Sequence, residues 1–151
     1  MDPDPYCSPL LLFAENVDFH AIAYILLLIL LFMVSALMSG SETALFSLSK
    51  SEIETFRSSR NPSEENVARL LEKPEQLLAT ILIVNNFVNI GIVLIFEYLL
   101  RYYLVIEHPV LRVIVSVVLT TFLLVLFGEV LPKVYATGNY KGFSRFASGP
   151  M

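Results

Sequence analysis

A single cysteine, two isolated histidines and a charged fraction of only 16% are the scarcities that constrain this chain most. One cysteine, Cys7, excludes an intramolecular disulfide and any cysteine-built metal cluster. It leaves an inert thiol or an intermolecular bridge. His20 and His108 flank apolar runs, where such amphipathic tips face headgroups more often than metals. No Ser-His-Asp, Cys-His or paired-carboxylate pattern is apparent, so no enzymatic activity is expected. A soluble domain carries about a quarter charged residues; this chain is instead 56% hydrophobic. Basic residues are missing from the first twenty positions, which hold Asp2, Asp4, Glu15 and Asp18. A cleavable signal needs a positive start, so the first apolar run is expected to be a retained helix.

Three runs are present, at about 21–38, 77–100 and 110–131, each near the roughly 20 residues that cross a bilayer. The expected fold class is an all-α membrane protein: three transmembrane helices plus short amphipathic juxtamembrane helices. Residues 1–19 read as an acidic, Pro-rich extracytoplasmic arm with a short apolar patch, Leu10-Leu11-Leu12-Phe13. Residues 20–140 read as the membrane domain, with a cytoplasmic juxtamembrane segment at 39–76. Residues 141–151 read as a cytoplasmic tail with no closing element, expected to be cut before further cytoplasmic domains. Lys50, Arg57, Arg60, Arg69 and Lys73 follow the first run, and Lys141 and Arg145 follow the third. The opposite side holds only Arg101 and Arg112, so the positive-inside rule places the N-terminus outside and the C-terminus in the cytoplasm. Orientation thus accounts for the basic residues, and no nucleic-acid partner is expected.

Within the juxtamembrane segment, Ser51-Glu52-Ile53-Glu54 reads as a capping box. Asn61-Pro62 reads as an N-cap followed by a first-turn proline. Val67, Leu70 and Leu71 form a helical apolar stripe, and Lys73-Pro74 restarts the chain as the second span. These helices either lie on the inner leaflet or pack beneath the spans.

Three polar clusters interrupt the apolar runs. Asn85 and Asn89 share a helical face, with Asn86 about 100° away. Asparagine is costly in hydrocarbon. Its amide oxygens either join helices by hydrogen bonds or serve as hard, neutral cation ligands. In Gly128-Glu129-Val130-Leu131-Pro132-Lys133, the proline cannot donate to the Gly128 carbonyl, which frees an oxygen beside the Glu129 carboxylate. Glu129 either joins that oxygen as a ligand or pairs with Lys133 four residues on. Ser39-Gly40-Ser41-Glu42 closes the first span, read as a flexible, hydroxyl-bearing break or as a close-packed helix end.

These three motifs, in this order and spacing, resemble the transmembrane domain of the CNNM/CorC family across about residues 21–140. The resemblance implies a homodimer of three-helix domains in the bacterial inner membrane, linked to Mg²⁺ or Co²⁺ efflux with Na⁺ coupling. It also implies CBS-type regulatory domains in the full-length chain. The ligand set it implies is Ser39 or Ser41, Asn85, Asn89, the Gly128 carbonyl and Glu129, with the Pro132-Lys133 pair as a kink in the third helix; translocation would require Gly40 and Pro132 to act as hinges. Some relatives bear haemolysin-like or gliding-motility names, which suit a membrane anchor or accessory subunit instead. The expected function is therefore transport of a dehydrated divalent cation, most simply Mg²⁺, with anchoring as the competing reading.

Overall fold

The computed structural model describes residues 19–103 and 108–149, and every regular element in them is helical. The acidic arm with Cys7 and its Leu10–Phe13 patch, and positions 104–107 of the loop between spans, lie outside the described residues. The elements are α1 (Phe19–Phe46), α2 (Lys50–Arg57), α3 (Pro62–Leu70), α4 (Pro74–Tyr103), α5 (Pro109–Leu123), a π-helical segment (Leu124–Val130), α6 (Leu131–Gly138) and α7 (Tyr140–Ala147). Among the described residues, three helices are long and apolar enough to cross a membrane: α1, α4 and the composite Pro109–Gly138. Their large apolar side chains face outward, with Phe87 78%, Met33 65% and Val118 63% exposed. Such an exterior suits hydrocarbon rather than water as the surrounding solvent.

Helix α1 is the central element, touching α4, the π-helical segment, α6 and α7. It runs unbroken through Ser39-Gly40-Ser41-Glu42, where the sequence suggested a flexible break. The hydroxyls there serve the helix itself. Ser41 donates to the Leu37 carbonyl and Thr43 to the Ser39 carbonyl, each four residues back. Gly40 provides clearance: a Cβ on it would stand 2.5 Å from Cζ of Phe143.

The third span leaves α geometry upstream of Pro132 rather than at the Pro132-Lys133 pair. Proline cannot continue the hydrogen-bond ladder. The seven residues of the π-helical segment widen the turn, and the Leu131 N–H reaches the Leu126 carbonyl five residues back. Pro132 then occupies the first turn of α6, where a missing donor costs nothing.

The juxtamembrane helices pack beneath the spans. Their capping box begins at Ser49, two residues earlier than the sequence suggested. The Glu52 N–H donates to Ser49 Oγ at 3.4 Å, and the Ser49 N–H donates to the Glu52 carboxylate at 3.0 Å. Asn61 caps α3 through the Ser63 N–H at 3.1 Å, with Pro62 in the first turn. Leu45, Leu48, Phe56, Val67, Ala68, Leu77 and Ile81 form a closed apolar core, and Ile53, Leu70 and Leu71 pack against it. The apolar stripes of α2 and α3 are therefore used up in packing.

The tail is also structured. Ser144 and Ala147 are buried on one face of α7, and its polar side chains grip α2 and α3. Lys141 meets Glu52 at 2.7 Å, the Tyr140 hydroxyl donates to Glu52 at 3.0 Å, and Arg145 meets Glu64 at 2.6 Å. The Lys141 ammonium, helped by donors from Ser49, holds the Glu52 carboxyl down at about 2 against an ordinary 4.5. A carboxyl depressed in the folded state stabilises the fold above its unfolded pKa, and that stability is lost as pH falls through the folded one. Amide exchange in α7, corrected for intrinsic rates, should therefore stay slow at about pH 5 and accelerate between about pH 4 and 2. Glu52→Gln should remove most of that acid-dependent rise.

Candidate cation site

Asn85 and Asn89 lie on the face of α4 that meets α1, and the residue they meet is Ser35. Its Oγ stands 3.0 Å from Asn85 Oδ1 and 2.9 Å from Asn89 Oδ1, and the Ser35 side chain is fully buried. Gly128 of the π-helical segment closes the third side: a Cβ there would lie 2.9 Å from Ser35 Oγ. One hydroxyl oxygen thus gathers groups from all three spans.

A hydroxyl has a single hydrogen to donate. It can satisfy one of the two amide oxygens at a time. The other short oxygen–oxygen contact needs a positive partner, either an amide turned to present Nδ2 or a cation lodged among the oxygens. Ser39 lies one turn along α1 on the same side as Ser35. It is 1% exposed, and its Oγ has no hydrogen-bond partner among the described residues. An orphaned hydroxyl at that depth is uncommon and asks for a ligand or water.

The remaining sequence-nominated residues are arranged differently. Ser41 is fully buried, but its hydroxyl turns to the Leu37 carbonyl. Glu129 follows Gly128, is half-buried, and its carboxylate forms no hydrogen bond or ion pair among the described residues. Lys133, the alternative partner of Glu129, reaches across to Glu42 of α1 at 3.4 Å. α6 packs along α1, so the neighbouring helix offers the closer carboxylate. Asn86 is exposed on the outer side of α4, in a shallow groove shared with Ile90 and Val93. Among the described residues, no group of three or more His, Cys, Asp or Glu side chains could hold a metal. A cation in this region would rest mainly on neutral oxygens.

Two features escaped the sequence reading. Ser35 is a lone serine in an apolar run; its i, i+4 relation to Ser39 is the one signal that could have exposed it. At the other end of the molecule, Glu97 of α4 accepts a hydrogen bond from Ser116 of α5 and pairs with Arg101 at 2.9 Å. An ionisable residue inside an apolar run was the available sign there.

Residues 25–151, which contain every residue of the Ser35 cluster, match the family described as CNNM, the Cyclin M transmembrane N-terminal domain. The chain belongs to the CNNM transmembrane-domain family. Among curated relatives, a UPF0053 protein of Haemophilus influenzae is 36% identical over 124 residues, covering 82% of this chain and 28% of the relative. The UPF0053 inner membrane protein YfjD of Escherichia coli K12 is 34% identical over 104 residues, covering 68% of this chain and 23% of the relative. The chain thus spans about a quarter of the length of these relatives. In this CNNM domain the three motifs fall on three separate spans, and the Ser35 hydroxyl is where α1, α4 and the π-helical segment touch.

Proposed function

We propose that this domain binds and passes a dehydrated divalent cation, with Mg²⁺ as its cargo. The observation that carries this reading is Ser35 Oγ, 3.0 Å from Asn85 Oδ1 and 2.9 Å from Asn89 Oδ1, walled by Gly128. Mg²⁺ takes octahedral oxygen ligands at 2.0–2.1 Å, which sets neighbouring ligand oxygens roughly 2.9 Å apart. Both contacts of the Ser35 oxygen already have that spacing. Ca²⁺, with bonds of 2.3–2.6 Å, would push the same oxygens to about 3.3–3.7 Å in octahedral geometry. Mg²⁺ keeps several waters when bound, so the three side chains need supply only part of the shell. Ser39 and Glu129 are the nearest further donors in sequence, and Ser41 serves only if it leaves the Leu37 carbonyl. Na⁺ competes for the same oxygens as counter-ion.

Three helices are too few to enclose a gated path, and their outward faces are broad and apolar. The working unit is accordingly a C₂ homodimer. It sits in the inner membrane with its N-terminus outside, and in longer proteins it would carry CBS-type domains on the cytoplasmic side. The competing reading is a membrane tether in which Ser35 simply joins α1 to α4 by hydrogen bonds, a common device between membrane helices. The direct Ser35–asparagine contacts suit that role as well.

A thermal-unfolding titration separates the two. The transport domain should gain several degrees in millimolar Mg²⁺ over the same ionic strength of choline chloride, by ligand linkage. Asn85→Ala should lose that gain. A midpoint indifferent to Mg²⁺ would leave only the tether.

A further inference from the structure

A groove of about 560 Å³ lies where α3, the start of α4 and the inner part of α1 meet. Its floor is apolar, with Met38, Leu70 and Val84 partly exposed over the buried Leu77 and Ile81, and its rim carries Arg69, Lys73 and Gln76. None of these residues belongs to the Ser35 cluster. The position is set by the chain: Lys73-Pro74 begins α4, and the apolar run starts only a few residues later. In a bilayer the rim therefore stands at headgroup level and the floor at the level of the upper acyl chains. This follows from the helices crossing the membrane, whatever they carry.

The rim has cationic charge to offer. Lys73 is exposed and forms no ion pair among the described residues. Arg69 pairs with Glu65 at 3.0 Å, but both side chains are more than half exposed. An exposed i, i+4 pair contributes little to stability, so an anionic ligand readily takes the guanidinium over. Glu72, the acidic residue of the rim, is already matched by Arg57 at 3.3 Å. A phosphodiester suits this rim, and one hydrocarbon chain suits this floor. Basic pockets beside membrane helices at the headgroup level recognise anionic lipids on the same terms.

We propose that this groove binds one anionic phospholipid, its phosphate on Lys73 and Arg69 and one acyl chain over Met38, Leu70 and Val84. Occupancy would fill the space between the juxtamembrane helices and α4 and brace α3 against the membrane. Free phosphate is a poor substitute, since it leaves the apolar floor in contact with water or detergent.

The test is native mass spectrometry of the chain released from detergent micelles doped with phosphatidylglycerol or phosphatidylcholine at equal mole fraction. The wild-type chain should retain one phosphatidylglycerol per chain and at least tenfold less phosphatidylcholine. Lys73→Gln combined with Arg69→Gln should lower phosphatidylglycerol retention about tenfold. Lys50→Gln combined with Arg60→Gln, which removes the same charge away from the groove, should leave it unchanged. Thr80→Trp, which fills the groove without touching its charges, should also reduce retention, and excess glycerol 3-phosphate should not displace the lipid. Equal retention of the two lipids, or a double variant that behaves as wild type, overturns the proposal. So does a lipid-free dimer that Thr80→Trp dissociates, since the groove would then seat a second copy of the chain. Mg²⁺ response is read separately, so failure here leaves the cation site standing.

Discussion

Replacing Ser35 by alanine is expected to abolish Mg²⁺ flux in proteoliposomes while lowering stability by less than about 2 kcal/mol. The two magnitudes come from different physics. Hydrogen bonds between membrane helices contribute about 0.6 kcal/mol on average and about 1.7 kcal/mol at most, because the separated helices find other partners. A cation stripped of part of its water has no such substitutes, and each lost oxygen leaves a hard ion underligated. Asn85→Ala, Asn89→Ala and Glu129→Ala should follow the same pattern, with flux at the level of empty liposomes and circular dichroism unchanged. A Mg²⁺-sensitive dye trapped in the vesicles reads the first quantity and thermal unfolding the second. If Ser35 and the asparagines only join helices, the order reverses: stability falls with each substitution and flux is never seen above background. Undiminished flux in all four variants removes the site altogether.

Enlarging Gly128 should have the largest effect on stability. The position faces Ser35, and a Cβ there would lie 2.9 Å from its Oγ and 3.7 Å from its Cβ. The first distance demands movement, whereas the second is ordinary contact. Gly128→Val adds bulk on a face with no spare space, and overpacking of this kind costs about 1–3 kcal/mol. Gly128→Ala should cost less, and most of that cost should vanish in a Ser35→Ala background, where the offending oxygen is gone. That non-additivity is the signature of direct contact. Gly138→Ala supplies the control, since nothing lies within 4 Å of a Cβ built there. It should be silent or slightly stabilising, as alanine is the better helix former. Additive costs for Ser35 and Gly128 would show that the two do not share the space the structure gives them.

The polar interruptions were legible because hydrocarbon makes them expensive. Asn85, Asn89 and Gly128 stand out in apolar runs, and the structure brings them to a common point. That point, Ser35, was not legible: a single serine in a membrane helix can bond its own backbone at little cost, so its presence carries no alarm. The capping register was ambiguous, since Ser49-Lys50-Ser51-Glu52 and Ser51-Glu52-Ile53-Glu54 both satisfy the pattern. Only the end of α1 at Phe46 favours the earlier serine. Proline announced a disturbance in the third span but not its direction. The widened turn lies ahead of Pro132, where the N–H groups still have carbonyls to choose among. The tail's helix was not legible because Gly142 and its polar neighbours mask a face that buries only small side chains, Ser144 and Ala147. What remained hidden was decided by contacts between helices far apart in sequence, which local periodicity does not encode.

The continuity of α1 has a mechanical corollary. Its 28 residues form a rod of about 42 Å, against a hydrocarbon slab of about 30 Å. The surplus is absorbed by leaning or by standing proud of the slab, and either choice depends on bilayer thickness. Because α1 packs against α4, the π-helical segment, α6 and α7, a change in its lean cannot be confined to one helix. The thickness of the surrounding lipid is thereby felt at Ser35, in the interior of the protein.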